Sequence, residues 1–529
     1  MSIYVNQVGF LPSQSKHATI SGEKDFRLIN EKGEVVFTGK ADTLTPDKAS
    51  GEETAVIDFS SVCVPGTYHF ESDAGVSPSF TVSENVYDLL AFDSLKMFYF
   101  QRCGIELTEK YAGRFTHKAC HTANVSLLRD PSVVFECNGG WHDAGDFGRY
   151  TTAGAVAVGH LLYAFEFNKA KLSMPLNIPE SGNGIPDILN ECRYELDWLL
   201  KMQREDGAVY HKCTSVYHTA FLMPEDDPLP FIVTPISSLA AADFCAVCAL
   251  AERIYRPYDA QFADTLRVAS LKSFDWLKAN PGFLFENPKD CTTGDYGDRC
   301  DADERMWAVA EVCRMTGDKK LSMMLYNFSE LHLSTTALGW QDVAGFASLC
   351  VLTDTTGVFD KFTVSLFKDK WLDEANRLLN VSSENGFDFA MRFYEIRWGS
   401  NMGVLLAGMV FAVAYWLTND KKYLNAAGYQ VDYILGRNPM NTSYVTGHGE
   451  HAFRNPHNRP SASDGIDDPI PGQVSGGPNG HPCDEAACKA IPEGTAPMKC
   501  YLDDVGSYST NEITIYWNSP LVFVLSFLR

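Results

Sequence analysis

The chain has 529 residues, 45% hydrophobic and 21% charged, with a formal net charge of −23, so it is too long for one small core and ordinary in composition for a soluble globular protein. That charge excludes a nucleic-acid partner, because phosphate binding needs Lys and Arg clusters, and it disfavours anionic membranes and polyanionic substrates. No apolar run approaches the ~20 residues that span a bilayer, and the start, MSIYVNQVGF, lacks the basic and apolar regions of a signal peptide.

Residues 2 to about 84 read as β-structure. Short alternating runs (IYVNQVGF, HATISG, FRLIN, VVFTG, TAVIDFS, GTYHFES, SFTVS) are separated by turn-forming residues, and about seven strands at this spacing predict an immunoglobulin-like sandwich. The two antibody-type cysteines are missing; only Cys63 is present. From Tyr87 the period becomes helical, with Leu89, Leu90, Phe92, Leu95, Phe98 and Phe100 on helical spacing. Further helices are predicted near 149–169, 186–204, 235–256, 259–279, 303–316, 318–332, 342–352, 358–379, 400–417, 420–435 and 517–528. About twelve helices with no short internal repeat fit a double-ring α-barrel whose site lies in loops at one end. The predicted domains are therefore 1–84, a β-sandwich, and 85–529, a helical catalytic domain. The stretch 438–516 reads as mostly irregular, and its His, Arg, Asn, Tyr and Trp content points to function.

The fifteen cysteines are odd in number and irregularly spaced. They predict mostly reduced, buried thiols, some of them open to metal binding, and a cytoplasmic setting, or a secreted one if a signal has been removed. A monomer is expected.

Two loops carry carboxylates. GGWHDAGDFGRY, Gly139 to Tyr150, is a glycine-punctuated turn that can present Asp143 and Asp146 together, and loop aspartates also serve as turn formers and caps. In YLDDVGSYSTNEITIYWNSP, Glu512 stands near Tyr508 and Trp517, where desolvation would raise its pKa and keep it protonated, although a surface or capping role also fits. A protonated acid in one loop and ionised aspartates in another meet the requirement for cleaving a glycosidic bond. Separately, Cys103, the adjacent pair Cys120 and His121, and His142 beside Asp143 offer four N/S ligands with no open position, as a closed structural zinc requires. Their spacing is that of no zinc finger, and buried thiols with core histidines fit equally. A zinc-dependent hydrolase would need an open metal position that this set lacks.

Six stretches in order, GGWHDAGDFGRY, SGNGIPDILNECRYELDWLLKMQ, YGDRCDADERMW, WGSNMGVLLAGM, SYVTGHGEHAFRNPHNRP and YLDDVGSYSTNEITIYWNSP, resemble glycoside hydrolase family 9, the cellulase family, over about 87–529. The β region resembles the immunoglobulin-like domain that many members carry. The resemblance implies an (α/α)6 barrel that hydrolyses β-1,4-glucans with inversion. On it, Asp146 is the general base, Asp143 helps hold the attacking water and Glu512 is the general acid. His457 and Arg459 match the family's His-any-Arg pattern and would hydrogen-bond sugar hydroxyls. Asn458, where many members have a second His, and His451, where the pattern prefers Asn, Lys or Arg, are departures. Trp398 and Tyr508 are candidate stacking platforms for glucose rings, with core packing the alternative for either.

A subgroup with this domain arrangement carries a zinc, which the resemblance assigns to Cys103, Cys120, His121 and His142. Asp303 and Glu304 in DADE, with Asp342 in GWQDVAG, resemble a family calcium site completed by carbonyls near Arg299 and Cys300; acids at a helix N-terminus are the alternative. The expected function is an endo-β-1,4-glucanase acting on cellulose-like or mixed-linkage glucans. The alternative is an exo-acting cellodextrinase or exo-glucosaminidase of the same family. A catalytically silent glycan-binding protein is disfavoured by the intact Asp143, Asp146 and Glu512.

Overall fold

In a computed structural model, the structure describes all residues except 1, 23, 24, 42, 74 and 330–332. Two compact units are present, one of residues 1–97 with 374–529 and one of residues 98–373.

The first unit begins with two facing sheets. One runs Ser2–Tyr4, His17–Ser21, Glu52–Asp58, Thr45–Asp47; the other runs Gly9–Phe10, Phe80–Val82, Gly66–Ser72, Asp25–Asn30, Val35–Lys40, with Gly75–Val76 paired to Gly66–Ser72. Alternating apolar residues, among them Phe10, Leu28, Phe59, Phe70 and Phe80, meet between the sheets in one core. The first predicted strand, IYVNQVGF, is in fact two, one in each sheet. Asn6 breaks it: its Oδ1 accepts the Val8 and Gly9 amides, turning the chain from one sheet to the other. The same residue's Nδ2 donates to Asp432 at 2.8 Å in the helix Lys421–Ile434, and Asp388 accepts from both His17 (2.8 Å) and Arg437 (2.7 Å), tying the sandwich to that helix and to loops of its unit.

Three of those helices pack together: Ser400–Thr418, Lys421–Ile434 and Ile515–Leu528. The first is 19 residues long, with a mean hydropathy of 1.6, and passes the length and composition test for a membrane span, which the expectation of no such run did not foresee. Its apolar surface is spent on Lys421–Ile434 and Ile515–Leu528.

The second unit is a succession of helix pairs. Thr151–Asn168, Ser238–Tyr255, Ala302–Thr316 and Ala344–Leu352 pack in sequence against one another, and Asp187–Lys201, Ala260–Ala279 and Lys319–Ser329 back chiefly onto the first, second and third of them. Thr151–Asn168, Ser238–Tyr255 and Ala344–Leu352 are buried along almost their whole length because they are covered on two faces, Ala302–Thr316 adds buried acids, and the backing helix Asp187–Lys201 is amphipathic because one face meets solvent. Observed bounds follow the predicted ones closely, and the last positions of the predicted 318–332 helix lie outside the described residues.

The periodicity did not reveal a five-stranded sheet in this unit, ordered Asp130–Phe135, Val125–Leu127, Ile232–Val233, Lys212–Thr214, Arg149–Tyr150. The helix predicted from 149 accordingly starts at Thr151, after a two-residue strand in which Arg149 pairs with Cys213. The 438–516 stretch, predicted mostly irregular, contains three short α-helices, Arg459–Ser463, Glu485–Ala490 and Tyr508–Asn511, and a 3-10 turn, Pro497–Lys499.

Candidate active site and metal cluster

In the second unit the loop 139–148 is held from several sides. Cys103 N–H donates to the Gly140 carbonyl (2.8 Å), His142 N–H to the Gln101 carbonyl (2.7 Å) and Asp143 N–H to the Gly148 carbonyl (2.9 Å). The fully buried Arg149 donates to the carbonyls of Cys137 and Gly139, and Trp141 is pinned by its N–H to Glu195 (2.6 Å) and its indole N–H to Glu191 (2.9 Å). Glu191 in turn accepts from the buried Arg102, which also meets Glu180. Two glycines are required: Gly140 has φ +74° with the Trp198 ring 2.7 Å from where a Cβ would sit, and a Cβ on Gly148 would lie 2.7 Å from Asp146 Oδ2.

This framework presents two differently treated aspartates. Asp143 is buried, and its Oδ2 accepts the Tyr296 hydroxyl at 2.5 Å, while Oδ1 has no hydrogen-bond partner among the described residues. Burial pushes its carboxyl well above the usual carboxylate range; the Tyr296 bond opposes this and Asp146 adds to it. The expectation of two ionised aspartates is corrected here, because removal from water disfavours the charge on Asp143. Asp146 Oδ2 accepts the Tyr150 hydroxyl (3.1 Å) and the Gly148 amide (3.2 Å), with His218 Nδ1 at 3.6 Å. Tyr296 itself stands at φ 48°, a left-handed conformation that a non-glycine residue seldom adopts.

Next to this loop, Cys103, Cys120, His121 and His142 form a group whose ligand atoms all lie within 4.8 Å of one another. The measured edges are 3.8 Å (Cys103 Sγ to His121 Nδ1), 4.0 Å (Cys120 Sγ to His142 Nε2) and 3.3 Å (His142 Nε2 to His121 Nδ1). A tetrahedral ion with bonds of ~2.0–2.3 Å needs edges of ~3.3–3.8 Å; two of the three edges lie in that range, and a small contraction of the Cys120–His142 edge lets the donor set hold a metal. Burial opposes ionisation of Cys103, but a hydrogen bond from the Cys120 thiol, with Arg149 and His142 nearby, holds it well below the usual thiol range; Cys120 is pushed up, first by that same hydrogen bond. Asp227, which the sequence reading missed, accepts from His121 Nε2 at 3.2 Å.

Asp303, Glu304 and Asp342 form no comparable group among the described residues. Asp303 accepts the Val343 amide (2.8 Å) and Asp342 the Ala344 amide (3.2 Å), ordinary helix-end roles. Burial raises all three carboxyls, Asp342 to about 6, and the buried Asp243 lies close enough to Glu304 and Asp303 for their charges to oppose one another.

The first unit carries the remaining site residues. Glu512 follows the helix Tyr508–Asn511 in extended conformation, its carbonyl accepting the Gly476 amide (2.7 Å), and it bridges to His457. His457 donates from Nδ1 to the Val505 carbonyl (2.7 Å), so that nitrogen carries a proton. Trp398, 48% exposed, and the half-buried Tyr508 have ring centroids 5.4 Å apart, with His457 5.9 Å from Tyr508. The structure thus brings Glu512, His457, Tyr508 and Trp398 into one cluster. Arg459 is the buried first residue of its short helix, and Asn458 is the helix N-cap, accepting the Ser461 amide at 3.2 Å. Asn at this departure position therefore has a structural job. His451 is exposed and contacts Asn441.

Tyr296, Tyr150 and His218 were also missed. The tyrosines do fall inside motifs quoted from the sequence, YGDRCDADERMW and GGWHDAGDFGRY, but nothing local marks their hydroxyls as partners of the aspartates.

The chain matches the family model "Glycosyl hydrolase family 9" over residues 87–525 and "Cellulase N-terminal ig-like domain" over residues 1–77. It is 44% identical to a cellodextrinase of Butyrivibrio fibrisolvens, covering 99% of each sequence. Among solved structures it resembles a thermostable endoglucanase from Alicyclobacillus acidocaldarius (36% identity, TM-score 0.94, 100% and 99% coverage). It also resembles a Zn-binding triple mutant of the family 9 endoglucanase J30 (30% identity, TM-score 0.91, 98% and 99% coverage). With an immunoglobulin-like sandwich followed in sequence by an α/α-barrel catalytic domain, the chain belongs to glycoside hydrolase family 9.

Proposed function

We propose that the protein is an inverting endo-β-1,4-glucanase in which Asp146 is the general base, Asp143 positions the attacking water and Glu512 is the general acid. The observation that carries this reading is the unequal treatment of the two aspartates on one rigid loop. Asp146 Oδ2 accepts the Tyr150 hydroxyl and the Gly148 amide, which hold its carboxyl group in one orientation, as a general base requires. Asp143 keeps a buried Oδ1 with no partner among the described residues, an acceptor that a bound water would satisfy. Glu512, on a loop braced by its carbonyl and by the His457 bridge, supplies the proton to the leaving oxygen, while Trp398 and Tyr508 stack against glucose rings and His457 and Arg459 bind sugar hydroxyls.

A second reading, an exo-acting cellodextrinase, is favoured by the 44% identity to a protein of that name over 99% of the chain. Exo-glucosaminidase action is the further alternative. Product analysis on cellopentaose and chito-oligosaccharides, with the anomer followed by NMR, separates all three. An early α-anomer and mixed internal products support the endo reading; an early β-anomer indicates retention, and removal of units from one end alone indicates exo action.

Zinc is the metal the Cys2His2 set would take, since soft thiolates with imidazoles in a tetrahedron select it. It would stabilise the fold and anchor the catalytic loop through His142. Calcium at Asp303, Glu304 and Asp342 rests on their burial and mutual repulsion, which a divalent cation would relieve. The free state of the cysteines supports a reducing, cytoplasmic setting.

A further inference from the structure

Four of the fifteen cysteines are exposed, Cys63, Cys300, Cys483 and Cys488. The last two are set apart by their place on one short helix. Asp484 is the N-cap of Glu485–Ala490, its Oδ1 accepting the Ala487 amide at 2.7 Å. Cys483 is therefore the residue before the cap and Cys488 the fourth residue of the helix. These are the two positions whose side chains meet over the first helical turn in a hydrophobic staple. Consistent with this, the Cys488 thiol turns back and donates to the Pro482 carbonyl at 3.3 Å, next to Cys483.

The pair also adjoins the sugar platform. The Tyr508 hydroxyl donates to the Cys483 carbonyl at 3.3 Å, and burial, then Cys483, Asp484 and Cys488 nearby, push its phenol above the ordinary value. Cys483 N–H donates to Ser509 Oγ (3.2 Å). Asp484 Oδ2 accepts from Ser507 Oγ (3.2 Å), from Ser509 N–H (3.0 Å) and from the Ser509 hydroxyl. The Cys483–Asp484 segment is thus fastened to the helix that leads directly into Glu512, and a displacement of Cys483 is passed to Tyr508.

We infer that Cys483 and Cys488 form a redox-active dithiol, converted by a low-molecular-weight disulfide into an internal disulfide that weakens sugar binding at Tyr508. The consequence for sugar rests on the reading of Tyr508 as a stacking platform. One cysteine thiolate attacks a sulfur of the small disulfide, forming a mixed disulfide and releasing one small thiolate. The second cysteine, deprotonated, then attacks the protein sulfur of that mixed disulfide and releases the other small thiolate. Two protein thiols are oxidised and one small disulfide is reduced to two thiols. Closing the bond requires the two Cα atoms to stand ~4.4–6.8 Å apart and fixes the dihedral about the sulfurs, a new constraint on Cys483, whose carbonyl accepts the Tyr508 hydroxyl.

The test uses the full-length enzyme equilibrated in oxidised or reduced glutathione. Peptide mapping should find a Cys483–Cys488 disulfide after oxidation, with Cys63 and Cys300 at most glutathionylated. KM for cellopentaose should rise roughly 2–10-fold, the value of one hydrogen bond, and return on reduction. Cys488→Ser and Cys483→Ser should keep the reduced enzyme's KM and lose the response. Glutathione adducts without the internal bond, or an internal bond with unchanged KM, would overturn the inference. Tyr508→Ala with an unchanged KM would sink the platform reading alone, while the oxidation response and its loss in Cys488→Ser still decide the dithiol.

Discussion

Asp227 accepts a hydrogen bond from His121 Nε2 at 3.2 Å, so the proton sits on that nitrogen and Nδ1 of the same ring faces Cys103 and His142. A carboxylate behind a ligating histidine fixes its tautomer and raises its basicity. Asp227→Asn should therefore weaken zinc binding ~10–100-fold, read by competition with a chromophoric chelator. An unchanged affinity would show that the carboxylate does not orient the ring.

The purified protein should carry about one zinc per chain, in a closed site that stabilises without activating water. Chelation should lower Tm, and Cys120→Ser should do the same because it removes a thiolate ligand. Metal analysis with melting curves checks both, and a zinc-free protein of unchanged stability would make the four residues ordinary buried side chains.

Asp146→Ala and Glu512→Ala should each cost roughly 10²–10⁴-fold in kcat, the usual worth of a general acid or base, with the circular-dichroism spectrum unchanged. A loss below tenfold in either variant removes that residue from its assigned role.

Tyr296→Phe deletes the hydrogen bond that opposes the upward shift of Asp143. The Asp143 carboxyl should then rise further, moving the acid limb of the kcat/KM profile to higher pH by roughly one unit, as loss of a hydrogen bond to a charged group implies. A profile that keeps its acid limb while falling uniformly would assign Tyr296 to substrate contact.

Glu195, fully buried behind Trp141, is pushed by burial from 4.5 to about 8. Its folded value lies above its unfolded one, so between these pH values the unfolded chain binds fewer protons and stability falls as pH rises. Glu195→Gln keeps a neutral acceptor for the Trp141 amide and should flatten that decline. Melting temperatures at pH 5 and pH 8 for both proteins decide; equal slopes would mean that the proton is not held there.

Much of this was legible in the sequence because it is local. The 3.6-residue period marked the long helices within a few residues, and the glycine loop announced itself by composition. The two-residue strand Arg149–Tyr150 was hidden, because a strand that short exists only through its partner at Lys212–Cys213. The 19-residue helix Ser400–Thr418 was a different kind of case: its bounds were predicted but the length of its apolar run was not, and its packing partners show where that surface goes.

By itself the sequence determined the helices, the sandwich, the family, and the carboxylates and N/S ligands offered to the site, since periodicity, turn chemistry and motif order are properties of neighbouring residues. Tertiary structure alone decided how each side chain is treated. Tyr296 reaches Asp143 across 153 residues and Asp227 reaches His121 across 106, and Asp143 is raised because the fold removes it from water. Desolvation and long-range hydrogen bonding depend on what surrounds an atom in space, and a linear pattern carries no record of that.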